Sequence, residues 1–249
     1  MVHLLSCRGV SKSFGGLRAL KNVDLTVNRH EIAGLVGPNG SGKTTLLNLI
    51  SGFYKLDSGT IRFMGEDISH FPPYKICVKG IAKTSQIVQS FPEMTTIENV
   101  LVGALFGGNN KIKEGKDAVQ RSKELLEFVG IPENKATIPV RNLNLAELRR
   151  VQLAKALATE PKLLLLDELL AGLNPTESDR AIELIKRIRD QGVTVLIVEH
   201  VMRVIMGLCD RVTVLHHGEK VAEGTPREIA KDESVIKIYL GKKYILYRD

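Results

Sequence analysis

Gly37-Pro38-Asn39-Gly40-Ser41-Gly42-Lys43-Thr44 stands between an apolar, strand-like run, Glu31 to Val36, and a helical run, Thr45 to Ile50. The pattern G-x-x-x-x-G-K-T in a strand–turn–helix setting reads as a cradle for phosphate. Its glycines let successive backbone N–H groups turn inward on an anion. The helix beginning at Lys43 adds the positive end of its dipole, and Lys43 itself adds a mobile ammonium. The amides from Ser41 to Thr45 are therefore expected to hold phosphates, and the Thr44 hydroxyl suits a magnesium ion bridging the outer ones. A nucleoside triphosphate is the expected ligand.

At 249 residues, 43% hydrophobic and 25% charged, the chain has ordinary globular composition, which excludes disordered and fibrous classes. One core, or one core with an inserted subdomain, is expected. No uninterrupted apolar run approaches the ~20 residues needed to cross a bilayer. Met1 to Val10 is too short and too mixed for a signal peptide, so a cytosolic or peripheral protein is expected. Cys7, Cys77 and Cys209 have no C-x-x-C spacing and encode neither a disulfide framework nor a zinc site. The net charge of +7 is spread along the chain. Few aromatics interleave with the cations, so solvated faces are expected, with no nucleic-acid partner.

Strand-like segments at Leu4 to Val10 and Val23 to Val27 precede the cradle, and another, Thr60 to Met64, follows its helix. From about Gln86 to Ala158 the character turns helical. Thr95-Thr96-Ile97-Glu98 is a capping box opening the run to Leu105, and Asp117 to Val129 has apolar residues at helical spacing. Gly107-Gly108-Asn109-Asn110 reads as a surface loop. Strand and helix then alternate, which argues for a largely parallel sheet. Leu163 to Leu166 and Thr194 to Val198 are apolar throughout, as strands covered on both faces should be. Asn174-Pro175-Thr176-Glu177 caps the helix between them. Arg211 to His216 and Lys220 to Glu223 read as a late strand pair turning at Gly218, with short helices beyond. The expected fold class is α/β: residues 1–85 and 159–249 form a P-loop NTPase core with a mostly parallel sheet, and residues 86–158 an inserted helical subdomain.

Leu163-Leu164-Leu165-Leu166-Asp167-Glu168 places two carboxylates at the end of a buried strand, where a parallel sheet opens onto its ligand crevice. Asp167 suits magnesium, and Glu168 suits the water that attacks the γ-phosphate. Val198-Glu199-His200 ends another core strand, so His200 is a candidate to bond the γ-phosphate or that water. The other five histidines have no ligand spacing.

The cradle, the acidic strand end, Ala171-Gly172-Leu173-Asn174-Pro175 and Val198-Glu199-His200 together resemble the nucleotide-binding subunits of ABC transporters. Ser11-Lys12-Ser13-Phe14-Gly15-Gly16 resembles that family's aromatic loop, which implies that Phe14 stacks on adenine. Gln86, followed by Phe91-Pro92-Glu93-Met94-Thr95, resembles its glutamine loop, which implies that Gln86 contacts the metal and the γ-phosphate. The resemblance covers essentially the whole chain and implies an N-terminal antiparallel β part, ATP hydrolysis with Mg²⁺, and transmembrane permease subunits as partners. It also implies a dimer, with self or with a second ATPase subunit, peripheral to the cytoplasmic face of the cell membrane. Within the family, Ile197 to Met202, Val204 to Val214, Gly218 to Pro226 and Val235 to Gly241 are most similar to importers of branched-chain amino acids. Lipopolysaccharide-export ATPases share much of this pattern and are the alternative, with a soluble relative acting on nucleic acid behind them.

One segment departs from the family pattern. Where LSGGQ is usual, this chain has Leu143-Asn144-Leu145-Ala146-Glu147. The resemblance implies that this helix start, through Asn144 and Ala146, faces a nucleotide held by the opposite subunit. Asn144 and Glu147 still form a capping box, so a helix from Leu145 to Ala158 is expected. Leu145 and Ala146, however, put side chains where glycine allows close approach to phosphate, and Glu147 brings negative charge towards an anion. Leu169 replaces the usual proline after the acidic pair, which should alter only the local turn.

Overall fold

The computed structural model describes residues 3–85, 90–107, 115–200 and 202–240. The elements before the central helical stretch are β1 (Leu5–Phe14), β2 (Leu17–Val27), β3 (Ile32–Val36), α1 (Lys43–Ile50), β4 (Ser58–Phe63), β5 (Glu66–Asp67), α2 (Pro73–Lys79) and β6 (Ile81–Lys83). Next come α3 (Thr96–Phe106), α4 (Gly115–Phe128), α5 (Leu145–Leu157), β7 (Leu163–Asp167) and α6 (Pro175–Asp190). The chain continues with β8 (Thr194–Val198), α7 (Met202–Leu208), β9 (Arg211–His216), β10 (Glu219–Gly224), α8 (Pro226–Ile229) and α9 (Glu233–Leu240). They fall into two compact units, one drawn from the residues up to Phe71 and from Thr194 onwards, the other being Pro72–Val193.

In the first unit, β1 pairs antiparallel with β2 and β4, and β4 with β5. Residues 5, 7 and 10 of β1 and 23, 25 and 27 of β2 are buried apolar side chains, with more exposed residues between them, so one face of this sheet is covered. β2 runs six residues further upstream than its apolar alternation suggests. Gly15, with φ +56, lies in a tight turn after which Leu17, Arg18 and Leu20 pair with Phe14, Ser13 and Lys12. Of Ser11 to Gly16, read as an aromatic loop, Ser11 to Phe14 are thus the end of a strand and Gly15-Gly16 its turn. A second sheet sets β3 between β8 and β9, parallel to both, with β10 closing antiparallel on β9. All five residues of β3 and of β8 are buried, which is why both read as unbroken apolar runs.

The second unit pairs β6 with β7 in parallel, Ile81 opposite Leu163 and Lys83 opposite Leu165. Three of its helices begin on capping boxes legible in the sequence, Thr95 with Glu98, Asn144 with Glu147 and Asn174 with Glu177. In each, the first residue's side chain accepts from the N–H of the glutamate three positions on, while that glutamate's carboxylate accepts from the first residue's N–H. α5 ends at Leu157 with Ala158 as its cap, and α4 begins two residues before the expected start. Among the described residues no helix is long and apolar enough to cross a membrane.

Candidate functional site

The first unit carries the cradle. β3 delivers Gly37 at the end of a buried strand and α1 starts at Lys43. Glycine is required at two points by space as well as by backbone angle. A Cβ on Gly37, where φ is +149, would overlap the Leu215 carbonyl oxygen. One on Gly42, where φ is +105, would come within 2.7 Å of the Ala19 carbonyl oxygen. The turn between β9 and β10 braces the loop from below: Gly218 N–H donates to Ser41 O at 3.1 Å, and Lys21 N–H donates to Gly218 O at 2.8 Å.

Lys43 is only 6% exposed, and its Nζ donates to the carbonyls of Gly37 at 2.8 Å and Pro38 at 3.0 Å. The ammonium is therefore tethered inside the cradle by its own loop. Ser41 Oγ is buried without a hydrogen-bond partner, an arrangement that normally costs about 1–3 kcal/mol. A phosphate oxygen would satisfy it. No side chain caps the start of α1, whose N-cap is Gly42, so its dipole end is left to a ligand. Asn39, Gly40 and Thr44 are exposed, Pro38 and Thr45 half-buried. These features fit an anion of the triphosphate kind.

Phe14 belongs to the same unit and is 41% exposed. Its ring meets Tyr54 edge-on, with centroids 5.1 Å apart, and Lys12 Nζ lies 5.4 Å from its centroid. His200, two residues beyond the end of β8, is exposed, and Glu199 between them is buried.

The second unit carries the acidic pair. Asp167, 2% exposed, closes β7, and Lys83 of the neighbouring β6 brings its Nζ to 3.8 Å from Asp167 Oδ2. Burial pushes the Lys83 ammonium below its ordinary value, and the Asp167 carboxylate acts against that shift. Glu168 has φ +49, a left-handed backbone unusual for a non-glycine residue. The angle turns the chain sharply after the strand. Glu168 is half-buried, its carbonyl accepts from Ala171 N–H at 3.2 Å, and Leu169 and Leu170 are buried. The leucine at 169 thus anchors the turn by packing. Thr44 in the first unit and Asp167 in the second each present a hard oxygen donor of the kind magnesium takes.

The start of α5 is closed on itself. Asn144 Oδ1 accepts from Glu147 N–H at 2.9 Å and the Glu147 carboxylate accepts from Asn144 N–H at 3.2 Å. Lys135 also forms an ion pair with Glu147. Partial burial acts to raise the Glu147 pKa, but Lys135 and the Asn144 N–H outweigh it and hold the carboxyl below its ordinary value. Leu145 is 45% exposed. Ala146 lies on the wall of a cleft of about 510 Å³ together with Arg149, Leu169 and Leu173. Gln86 falls outside the described residues, as do Ile87 to Gln89 and Gly108 to Asn110 of the expected loops.

Two neighbours of the site were not singled out by sequence. Lys83 ends a three-residue strand too short to stand out, and the available signal was a lone cation closing the apolar pair Ile81-Ala82. Tyr54 follows α1 in the dipeptide Phe53-Tyr54, whose two exposed aromatics were the cue.

Comparison with known proteins places this geometry. The family model described as ABC transporter matches residues 20–171, and one described as branched-chain amino acid ATP-binding cassette transporter matches residues 219–245. The high-affinity branched-chain amino acid transport ATP-binding protein LivG of Escherichia coli is 39% identical over 96% of this chain and 98% of its own. The lipopolysaccharide export system ATP-binding protein LptB of Escherichia coli is 34% identical over 97% of this chain and 99% of its own. The crystal structure of a nucleotide-free ATP-binding cassette from an ABC transporter superposes with a TM-score of 0.88 at 29% identity, covering 97% of this chain and all of that one. A dimeric cassette in a post-hydrolysis state, bound to ADP and Pi, superposes with a TM-score of 0.81 at 26% identity over 90% of this chain and 99% of that one. A phosphate cradle, an acidic strand end and relatives matched along almost their whole length converge on one conclusion: the chain belongs to the ABC transporter family, as one of its ATP-hydrolysing subunits.

Proposed function

We propose that the chain drives import of branched-chain amino acids, hydrolysing Mg²⁺-ATP at the cytoplasmic face of the membrane, to which transmembrane permease subunits tether it. What supports this solute class is the C-terminal match over residues 219–245, together with identity to LivG that exceeds identity to LptB. In this reading Phe14 stacks on the base. The residues Gly37 to Thr45 wrap the triphosphate, and Lys43 exchanges its two loop carbonyls for phosphate oxygens. Thr44, Asp167 and Gln86 offer oxygens to Mg²⁺, which when bound neutralises charge on the outer phosphates. Glu168 orients the attacking water and accepts its proton, and Gln86 and His200 bond the γ-phosphate. The helical stretch 86–158, with the segment from Ile87 to Met94, receives the permease.

The partner in the nucleotide-closed dimer is a second ATPase subunit of LivF type. What supports a different chain over a second copy is the α5 start, where Asn144 and Glu147 already consume the capping capacity and Leu145 occupies a position the family keeps small. The cradle of this chain, closed by the partner's regular motif, is then the hydrolysing site. Reconstitution with permeases and a binding protein in vesicles tests the reading: leucine should stimulate phosphate release, and Glu168→Gln should abolish it while ATP is still bound. Indifference to branched-chain amino acids would overturn the solute class. Equal losses from Glu168→Gln and from the matching change in the partner would overturn the asymmetry.

A further inference from the structure

The cradle accounts for the phosphate end of a nucleotide, and Phe14 alone is a weak platform for the other end. It sits at the tip of a hairpin, next to Gly15, where an unsupported ring would be free to change rotamer and would lose that freedom on stacking. Its surroundings prevent this. Tyr54 meets it at an interplanar angle of 72°, the edge-to-face arrangement favoured by ring quadrupoles. Lys12 lies over the ring and is itself fixed, its Nζ donating to Asp57 Oδ1 at 2.8 Å. Asp57 also accepts from Ser13 N–H at 2.6 Å, and its own N–H donates to Ser11 O at 3.0 Å.

Tyr54 is in turn bound to the phosphate-binding helix. The N–H groups of Phe53 and Tyr54 both donate to Asn48 O, at 2.8 and 3.2 Å, and Asn48 lies in the last turn of α1, whose first turn closes the cradle. One helix of eight residues, about 12 Å long, therefore carries the phosphate site at one end and the prop of the aromatic platform at the other. Nothing in the packing of the core requires Tyr54, which is 39% exposed.

We propose that Tyr54 is a positioning residue for the nucleotide base, holding Phe14 edge-on and fixing its distance from the phosphate cradle through α1. This rests on the reading of Phe14 as the stacking ring. The test is calorimetric binding of ATP and of tripolyphosphate, which lacks a base, to the purified full chain with Mg²⁺. Tyr54→Ala should weaken ATP about threefold to tenfold, the value of an edge-to-face pair, and leave tripolyphosphate unchanged. Tyr54→Phe should restore ATP affinity, and Tyr54→Leu, which fills the space without a ring, should not. Equal weakening of both ligands would overturn the proposal, since Tyr54 would then act on the cradle's fold. Unchanged ATP affinity in Tyr54→Ala beside weakened affinity in Phe14→Ala would overturn it while sparing the stacking role of Phe14. Unchanged affinity in Phe14→Ala would remove that role and the proposal with it.

Discussion

Leu145 packs against Gly172: the leucine Cδ2 lies 3.2 Å from the point where a Cβ on that glycine would stand. Leu145 opens α5 at the altered family motif, and Gly172 belongs to the loop leaving the acidic pair, where Ala171 N–H bonds back to Glu168 O. The substitution that distinguishes this chain from its family thus has a use inside the chain. An apolar side chain braces the loop that follows Glu168, where a glycine at 145 would leave it unsupported.

The two residues should therefore be energetically coupled. Gly172 has φ +81, so Gly172→Ala should cost about 1–2 kcal/mol from the left-handed backbone, plus the cost of pushing Leu145 aside. In Leu145→Ala the added methyl meets no leucine, so the double variant should be less destabilised than the sum by about 0.5 kcal/mol or more. Urea midpoints of the four proteins measure this. Strict additivity would mean that the contact carries no energy.

Two cradle glycines should respond very differently to the same methyl group. At Gly37 the Cβ would overlap the Leu215 carbonyl oxygen, whereas at Gly40, with φ +77, it would meet nothing within 4 Å. Gly40→Ala should cost only about 1 kcal/mol for its backbone angle. Gly37→Ala should cost several times that, because backbone must move, and should abolish ATP binding. Thermal unfolding and nucleotide titration of both variants check the ordering, and similar losses would contradict it.

The α5 capping box should show in both stability and pH dependence. Asn144→Ala removes the acceptor for Glu147 N–H and should cost about 1 kcal/mol, with Asn144→Ser recovering most of it. Glu147 is held below its ordinary value of 4.5, so the folded state binds fewer protons than the unfolded one near that pH. Its contribution is complete above about pH 4.5 and is lost as pH falls through the lowered folded value. Glu147→Gln should keep the box and lose this dependence. Denaturation of wild type and the three variants from pH 7 to 3 reads it, and parallel curves for wild type and Glu147→Gln would show that the charge contributes nothing.

Much of this was legible in the sequence, and the misses share a cause. β3, β7 and β8 stood out because burial on both faces forces unbroken apolar runs, and three helix starts stood out because their capping chemistry is local. The Leu17 end of β2 did not, because an edge hairpin with Arg18, Lys21 and Asn22 has no alternation to read. β6 was invisible at three residues. Of the site, Lys43, Thr44 and Asp167 follow from motifs contiguous in sequence. Contacts such as Lys83 with Asp167, Tyr54 with Phe14 and Leu145 with Gly172 join distant residues and leave no periodic trace. The left-handed backbone at Glu168 was equally hidden, since nothing about a glutamate announces a positive φ.

The three cysteines should separate cleanly by reactivity. Burial, with Asp24 nearby, pushes the Cys7 thiol up to about 12. Burial, with Asp210 and Glu199 nearby, does the same at Cys209, also to about 12. The thiolate is the reactive form, so at pH 8 both should hold a vanishing fraction of it and also be sterically shielded. Cys77, on α2, is only half-buried. Ellman's reagent should therefore modify one thiol per native chain quickly, and Cys77→Ser should remove that phase. The other two should react only at the rate of opening, accelerating together when urea unfolds the chain. Since Cys209 Sγ would stand 2.9 Å from a Cβ on Gly34 of β3, its exposure would report loss of the strand that leads into the cradle. Saturating ATP should slow the Cys209 phase in proportion to the stability that binding adds. A Cys209 that reacts quickly in the native chain would refute its packing against Gly34 of β3.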